Sequence, residues 1–203
     1  RIAVEFSRRS PLGAVGGAII LALVLMAIIG PQVAPYDPEK LAIAPKYETP
    51  ALSGNLLGTD QLGRDVLSRL LHGAWRSLVV GVVASVAGTL IGGVMGLTSG
   101  YWGGKFDALM QRIVDILMAF PVLILALALL AAMDRSLNTI IIAIGIPFIP
   151  YGARVVRASA LVIKETQYVE AARAIGASDL RIIIRHVAPG CVAPYTVVLT
   201  GLI

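Results

Sequence analysis

Long apolar runs separated by short polar stretches set the pattern of this chain. A membrane-crossing helix needs about 20 mostly apolar residues. Leu12–Ile29 is free of charge throughout. A second charge-free window runs from Ser77 to Gly104, and Leu78–Ser99 within it is long enough to span. Ile116–Met133 and Ser136–Ala153 supply a third and a fourth span, and Val187–Ile203 opens a fifth. The pattern predicts an all-α integral membrane fold, a polytopic helical bundle with about five spans. Arg8 and Arg9 before the first run are compatible with a signal peptide, but signal cores are about 7–15 residues long and end in a small-residue cleavage site. This run is longer and ends in Gly30-Pro31, so it reads as an anchor. The chain opens on Arg1 and closes at Ile203 inside an apolar stretch, which predicts further residues at both ends.

The polar stretches fix an orientation. Cytoplasmic loops of membrane proteins carry an excess of Lys and Arg. With a cytoplasmic N-terminus, the inner segments hold Arg1, Arg8, Arg9, Lys105, Arg112 and the six basic residues from Arg154 to Arg185. The outer segments hold Lys40, Lys46, Arg64, Arg69, Arg76 and Arg135. Acidic residues divide evenly, with Glu5 among those inside, so the whole net charge of +5 falls on the inner side. Three regions follow: 1–30, a cytoplasmic N-terminus and first helix; 31–76, an extracytoplasmic loop; and 77–203, the helical core. A short inner turn is expected over Gly100–Arg112, and a long inner segment over 154–189.

Local signals refine this map. Pro31, Pro35, Pro38, Pro45 and Pro50 predict an extended or irregular start to the outer loop. From Arg64 to Trp75 the pattern turns helical, with Val66, Leu67, Leu70 and Leu71 on one face and Asp65 spaced to pair with Arg69. This predicts an amphipathic helix at the outer interface, either covering the ends of the spans or touching substrate. In the second span Ala84, Gly88, Gly92, Gly96 and Gly100 recur every fourth residue. Such a stripe of small residues lets another helix backbone approach closely, within the subunit or across a subunit interface. Pro121, Pro147 and Pro150 predict kinks in the third and fourth spans. No charge lies in the middle of a span, whereas ion-coupled transporters keep ionisable groups at depth.

The inner segment divides into two short helices. Thr166 is placed to cap the first, whose apolar face is Tyr168, Ala171, Ala172 and Ile175. Gly176 falls where a left-handed residue ends a helix. Ser178 is placed to cap the second, with Asp179 suited to its dipole. Leu180, Ile183, Ile184 and Val187 form its apolar face, Arg181 and Arg185 point away, and Pro189 ends it. This pair suits docking on a soluble partner. A lipid-surface helix pair is an alternative. A DNA-binding helix–turn–helix fits poorly, because the flanking spans hold both helices at the membrane.

Composition adds exclusions. The chain is 57% hydrophobic and 14% charged, against about 25% charged in soluble domains. Cys191 is the single cysteine, and His72 and His186 stand far from any ligand cluster, so neither an internal disulfide nor a metal site is expected. No Gly-x4-Gly-Lys-Ser/Thr phosphate loop occurs, so no nucleotide is expected on this chain.

Glu170-Ala171-Ala172, three residues, Gly176, and then Pro189 resemble the Glu-Ala-Ala loop of ABC importer permeases. The family pattern is Glu-Ala-Ala-x3-Gly-x9-Ile-x-Leu-Pro; His186 replaces its isoleucine and Ala188 its leucine. A histidine there resembles the dipeptide/oligopeptide/nickel branch, the type I binding-protein-dependent permeases. Ala34-Pro35-Tyr36-Asp37-Pro38, Gly58-Thr59-Asp60-Gln61-Leu62-Gly63-Arg64-Asp65 with Ser68-Arg69, and Ser99-Gly100-Tyr101-Trp102-Gly103-Gly104 with Asp107 are similar to further segments of that branch. The resemblance implies six spans in full, with both termini cytoplasmic, in a bacterial inner membrane. It implies a homologous second permease, two ATP-binding-cassette ATPase subunits that carry ATP and Mg, an extracytoplasmic solute-binding protein, membrane lipid, and no nucleic acid. The chain would be a transporter subunit rather than an enzyme. Glu170, Ala171, Ala172 and Gly176, with Ser178 and Asp179, would contact the ATPase. Peptides, glutathione-like compounds and nickel chelates are all compatible solutes. A membrane scaffold or sensor that recruits a cytosolic partner is the reading from another class, and an ion-coupled transporter is disfavoured by the charge-free spans.

Overall fold

The computed structural model describes residues 11–51 and 54–203, so the basic N-terminal positions Arg1, Arg8 and Arg9, and Glu5, lie outside the described residues. The chain divides into two units, with the boundary between Val79 and Val80.

In the first unit, α1 runs from Pro11 to Val33, with Pro31 inside its last turn. Ala27 and Gly30 are its buried residues. A Cβ at Gly30 would lie 3.1 Å from Leu71 Cβ, so glycine lets α1 close onto the start of the next helix. Elsewhere α1 presents Leu12, Val15, Ile19 and Ile20 outward, as a helix solvated by lipid does.

No helix forms between Val33 and Val66 among the described residues. Two lengths of chain pair there instead: Ala42 N–H donates to Leu62 O (3.1 Å), Ile43 N–H to Gly63 O (2.9 Å) and Thr59 N–H to Glu48 O (3.2 Å). Gly58 and Gly63 take φ of +73° and +69°, and a Cβ on either would collide with a backbone carbonyl, of Glu48 or Ala44. Asp60 organises the turn between them. Its Oδ1 accepts from Leu62 N (2.8 Å) and Arg64 N (3.1 Å), and its Oδ2 from Arg64 Nε (2.8 Å) and Arg69 Nη1 (2.6 Å).

Asp65 does not pair with Arg69. It is buried, and its Oδ2 accepts from Ser68 N (2.8 Å) and Ser68 Oγ (2.7 Å), the geometry of a cap on the helix that starts at Val66. The exposed backbone donors of the first helical turn claim this carboxylate, and Arg69 turns to Asp60 instead.

Desolvation pushes the Asp60 carboxyl up, but the N–H groups of Arg64 and Leu62 and the Arg64 guanidinium outweigh it and hold the group well below the usual carboxylate range. A depressed folded value means this stabilisation is complete above the unfolded value and is lost as pH falls through the folded one. Amide exchange at Ala42 and Ile43 is therefore expected to be independent of Asp60 protonation from about pH 7 to about pH 4 and to accelerate only in stronger acid. In Asp60→Asn the exchange is faster throughout, and this acid step is gone.

The helix α2 runs unbroken from Val66 to Trp102, about 55 Å at 1.5 Å per residue. The amphipathic helix expected over Arg64–Trp75 is therefore not a separate element; its residues form the first turns of α2. In the second unit α2 is followed by α3 (Gly104–Met118), α4 (Val122–Ala132), α5 (Leu137–Ile163), α6 (Gln167–Ala174), α7 (Asp179–Ile182), a π-helical turn over Ile183–Val187, and α8 (Ala188–Leu202).

The expected inner turn over Gly100–Arg112 is almost wholly helical. Only Gly103 lies between α2 and α3, and it and Gly104, the first residue of α3, take φ of +68° and +57°. The third span is broken too, since α3 and α4 meet at 87° around Pro121. The ring there removes a backbone donor and clashes with the preceding turn. α4, at about 16 Å, is too short to cross a bilayer core of about 30 Å alone. Among the described residues four helices are long and apolar enough to cross, five if the bent α3–α4 pair counts as one.

Ser136 caps α5, its Oγ accepting from Thr139 N (3.1 Å). α5 passes through Pro147 and Pro150 and extends ten residues past the expected end at Ala153. α2 and α5 meet backbone to backbone. A Cβ at Gly88 would run into Gly145 O, at Gly92 into Ile149 O, and at Gly96 into Ala153 O, while Gly100 lies against Arg157 and Ala160. Ala84 is fully buried beside Gly145. From the other side, Gly152 closes on Thr89 O. The small residues of the two helices thus face one another inside one chain. α8 joins them: Thr89 Oγ1 and Tyr195 Oη are 3.2 Å apart, and Ser85 Oγ donates to Leu202 O (3.0 Å).

Candidate functional site

The segment after α5 folds into a hooked pair, α6 and α7, at the ends of α2 and α5. α5 is held at that end by two ion pairs to α3. Arg157 grips Asp107 through both forks, Nε to Oδ1 at 2.6 Å and Nη2 to Oδ2 at 2.5 Å, and Arg154 Nη2 reaches Asp115 Oδ1 at 2.9 Å. A planar guanidinium bound at two points fixes direction as well as distance.

Thr166 stands at the N-cap of α6, but its hydroxyl donates to Ile163 O (2.6 Å) and makes no cap bond. The backbone carbonyl of Thr166 accepts from Val169 N (3.0 Å) and Glu170 N (3.1 Å). α6 ends in a Schellman turn: Ala177 N–H donates to Ala172 O (3.1 Å) and Gly176 N–H to Arg173 O (2.9 Å), with Gly176 at φ +80°. Ser178 stands at the N-cap of α7, also without a side-chain bond.

The faces of the pair are rotated from those the spacing predicts. In α6, Val169 and Ala172 are buried, whereas Tyr168, Ala171 and Ile175 are exposed, Ile175 at 85%. Two apolar stripes, one residue apart, share this short helix, and the smaller one faces inward. Beyond Gly176 the buried set is Ile182, Ile183, Val187 and Cys191, and Leu180 and Ile184 are exposed. The π turn explains the shift: one extra residue per turn brings Ile182 and Val187, five apart, to one face.

The wider turn also accommodates Pro189, which does not end the helix. It lies in the first turn of α8, and the helical path from Asp179 to Leu202 forms one candidate span. The second arm of the hook is thus the start of a membrane helix. Val169, Ala172, Ile182, Ile183 and Val187 pack with Tyr101 of α2 and with Val156 and Ala160 of α5 in one core.

Outward, the pair bounds a shallow groove of about 440 Å³ between Tyr168, Ala171, Ile175, Arg181, Arg185 and His186. Tyr168 Oη donates to His186 O (3.3 Å) across it. The six residues singled out in sequence therefore separate. Glu170, Ala171, Gly176 and Ser178 are exposed; Ala172 faces the protein's own core; and Asp179 accepts a hydrogen bond from Tyr101 Oη (2.7 Å). Sequence reasoning gave no role to Tyr101 or Arg173, although Tyr101 falls in a motif it singled out. Among the described residues no group of three or more His, Cys, Asp or Glu is placed to hold a metal ion.

Residues 88–202 match the family described as binding-protein-dependent transport system inner membrane component, and residues 7–50 match the N-terminal TM domain of oligopeptide transport permease C. The chain is 43% identical over 186 residues to a putative peptide transport system permease protein of Brucella suis, covering 92% of this chain and 62% of that one. It is 37% identical over 196 residues to the glutathione transport system permease protein GsiD of Pectobacterium atrosepticum, covering 95% and 65%. To GsiD of Escherichia coli it is 39% identical over 193 residues, covering 95% and 64%. The chain thus spans just under two thirds of the length of these relatives.

Proposed function

The chain belongs to the family of binding-protein-dependent transport system inner membrane components, and from this premise we propose that it is one permease subunit of an ATP-driven importer of peptides or glutathione-like solutes. It works in a bacterial cytoplasmic membrane beside a second, similar permease. An external binding protein delivers solute, and two ATPase subunits bind ATP and Mg. The names of the relatives support the solute class, and the absence of a phosphate loop from this sequence supports placing ATP on other chains.

The observation that carries the coupling role is the hook at Gly176. Its inner face is embedded in the core with α2 and α5, and its outer face offers Tyr168, Ala171, Ile175, Leu180 and Ile184 to a partner. Apolar side chains kept this exposed gain stability when covered, about 1.5–3 kcal/mol for each large one fully buried. Arg181 and Arg185 at the rim favour an acidic neighbour. Glu170 and Gly176 sit on this exposed side, where Glu170 can meet a basic group and Gly176 makes the turn.

Closure of an ATPase dimer would push the hook, and the helical path from Asp179 to Leu202 carries that push into α8. Because α8 contacts α2 at Thr89 and Ser85, the displacement reaches the helices that alternately open and close the pathway.

Reconstitution of the full-length subunit with its partners in liposomes tests this. Uptake of a short peptide or of glutathione is expected only with ATP inside the ATPase compartment and with the binding protein present. Uptake that follows a proton gradient and ignores ATP contradicts it.

A further inference from the structure

We propose that Tyr101 is a positioning residue that locks the hook to α2; this rests on the coupling role proposed above. Tyr101 is next to last in α2 and only 6% exposed. Its hydroxyl donates to Asp179 Oδ1 at 2.7 Å, and the Arg173 guanidinium carbon lies 5.4 Å from its ring centre. Arg173 is in the last turn of α6 and Asp179 in the first turn of α7. One side chain of α2 therefore grips both arms of the turn around Gly176, one arm through a charge-assisted hydrogen bond and the other through a cation over its ring. Arg173 and Asp179 are both exposed, so the grip buries neither charge. Among the described residues, the Tyr101–Asp179 contact is the one side-chain hydrogen bond between α2 and the hook.

The position of this grip sets what it does. The ring of Tyr101 packs in the core with Val156, Ala160 and Val169, and that contact survives without the hydroxyl. The two glycines that follow, Gly103 and Gly104, adopt positive φ and give the chain its break beyond the locked end. Apolar packing allows small sliding, whereas a hydrogen bond to a carboxylate has one preferred direction. With the bond present, a displacement of the hook moves α2. Without it, the hook slides and α2 lags. Asp179 is thus engaged inside this chain, and its part in coupling is to receive Tyr101.

The test uses the full-length subunit assembled with its partners in liposomes. Tyr101→Phe is expected to raise the ATP hydrolysed per solute imported by about tenfold, the size of losing one charge-assisted hydrogen bond. The thermal unfolding midpoint should fall by only about 2–4 °C, because the ring stays packed. A nitroxide on Ala174→Cys, which is exposed on α6, should become more mobile in Tyr101→Phe and in Asp179→Ala alike. The double variant should be no more mobile than either. Wild-type mobility and a wild-type coupling ratio in Tyr101→Phe would overturn the proposal, as would additive effects in the double variant. If the wild-type assembly shows no ATP-driven uptake, the importer reading fails, and label mobility alone still decides whether Tyr101 holds the hook.

Discussion

Leucine at Gly92 is expected to remove the folded subunit from the membrane, whereas leucine at Gly81 leaves it in place. The two glycines lie on the same helix and differ in what a side chain would meet. At Gly92 a Cβ would overlap Ile149 O and lie 2.9 Å from Ala153 N, both backbone atoms of α5. At Gly81 a Cβ meets nothing within 4 Å. Overpacking a core where side chains can shift costs about 1–3 kcal/mol. Here the obstacle is a helix backbone, and relief requires α5 to back away along its length. That would open the contacts at Gly88, Gly96 and Gly152 together. Against a total stability of about 5–15 kcal/mol, such a loss leaves little margin. The check is the amount of protease-resistant subunit recovered from membranes, with Gly92→Ala expected to fall between wild type and Gly92→Leu.

Four of the five spans were legible because charge-free windows of membrane length leave few alternatives, and Ser136 marked the start of α5 correctly; the third, Ile116–Met133, was not, because the chain bends by 87° at Pro121. Gly176 was legible because a left-handed turn between two short helices has few other candidates. What the pattern could not give was phase and partnership. In α6 the stripes Tyr168–Ala171–Ile175 and Val169–Ala172 both repeat at helical spacing, and only packing against Tyr101 and Ala160 decides which is inside. A π turn has no period-3.6 signature, so spacing puts Leu180 and Ile184 on one apolar face with Ile183 and Val187, whereas the structure exposes the first two and buries the others. The same turn hides the continuity past Pro189. Asp65 had two local options, a partner four residues on or the open donors of a helix start, and spacing alone does not rank them. Tyr101 and Asp179 are 78 residues apart, so the contact exists only once α2 and the hook are packed.

The second large effect is expected at the outer face of the hook. Ile175 is 85% exposed, so Ile175→Asp removes little packing within this chain, and insertion and thermal stability should stay close to wild type. If an ATPase subunit covers that position, the variant loses the burial of one isoleucine, about 1.5–3 kcal/mol, and adds the cost of desolvating a carboxylate. Association with the ATPase should weaken by at least about tenfold, and ATP-driven uptake should fall with it. Gly176→Asp should produce the same uncoupling by another route, because an L-residue at φ +80° strains the turn that aims the face.

The most direct measurement places a photo-activatable cross-linker at Ile175 in the assembled full-length complex and identifies what it captures. The account predicts a cross-link to the ATPase subunit that changes in yield between nucleotide-free and ATP-bound states. Capture of the external binding protein, or modification of Ile175→Cys by a membrane-impermeant thiol reagent added outside intact cells, would contradict it.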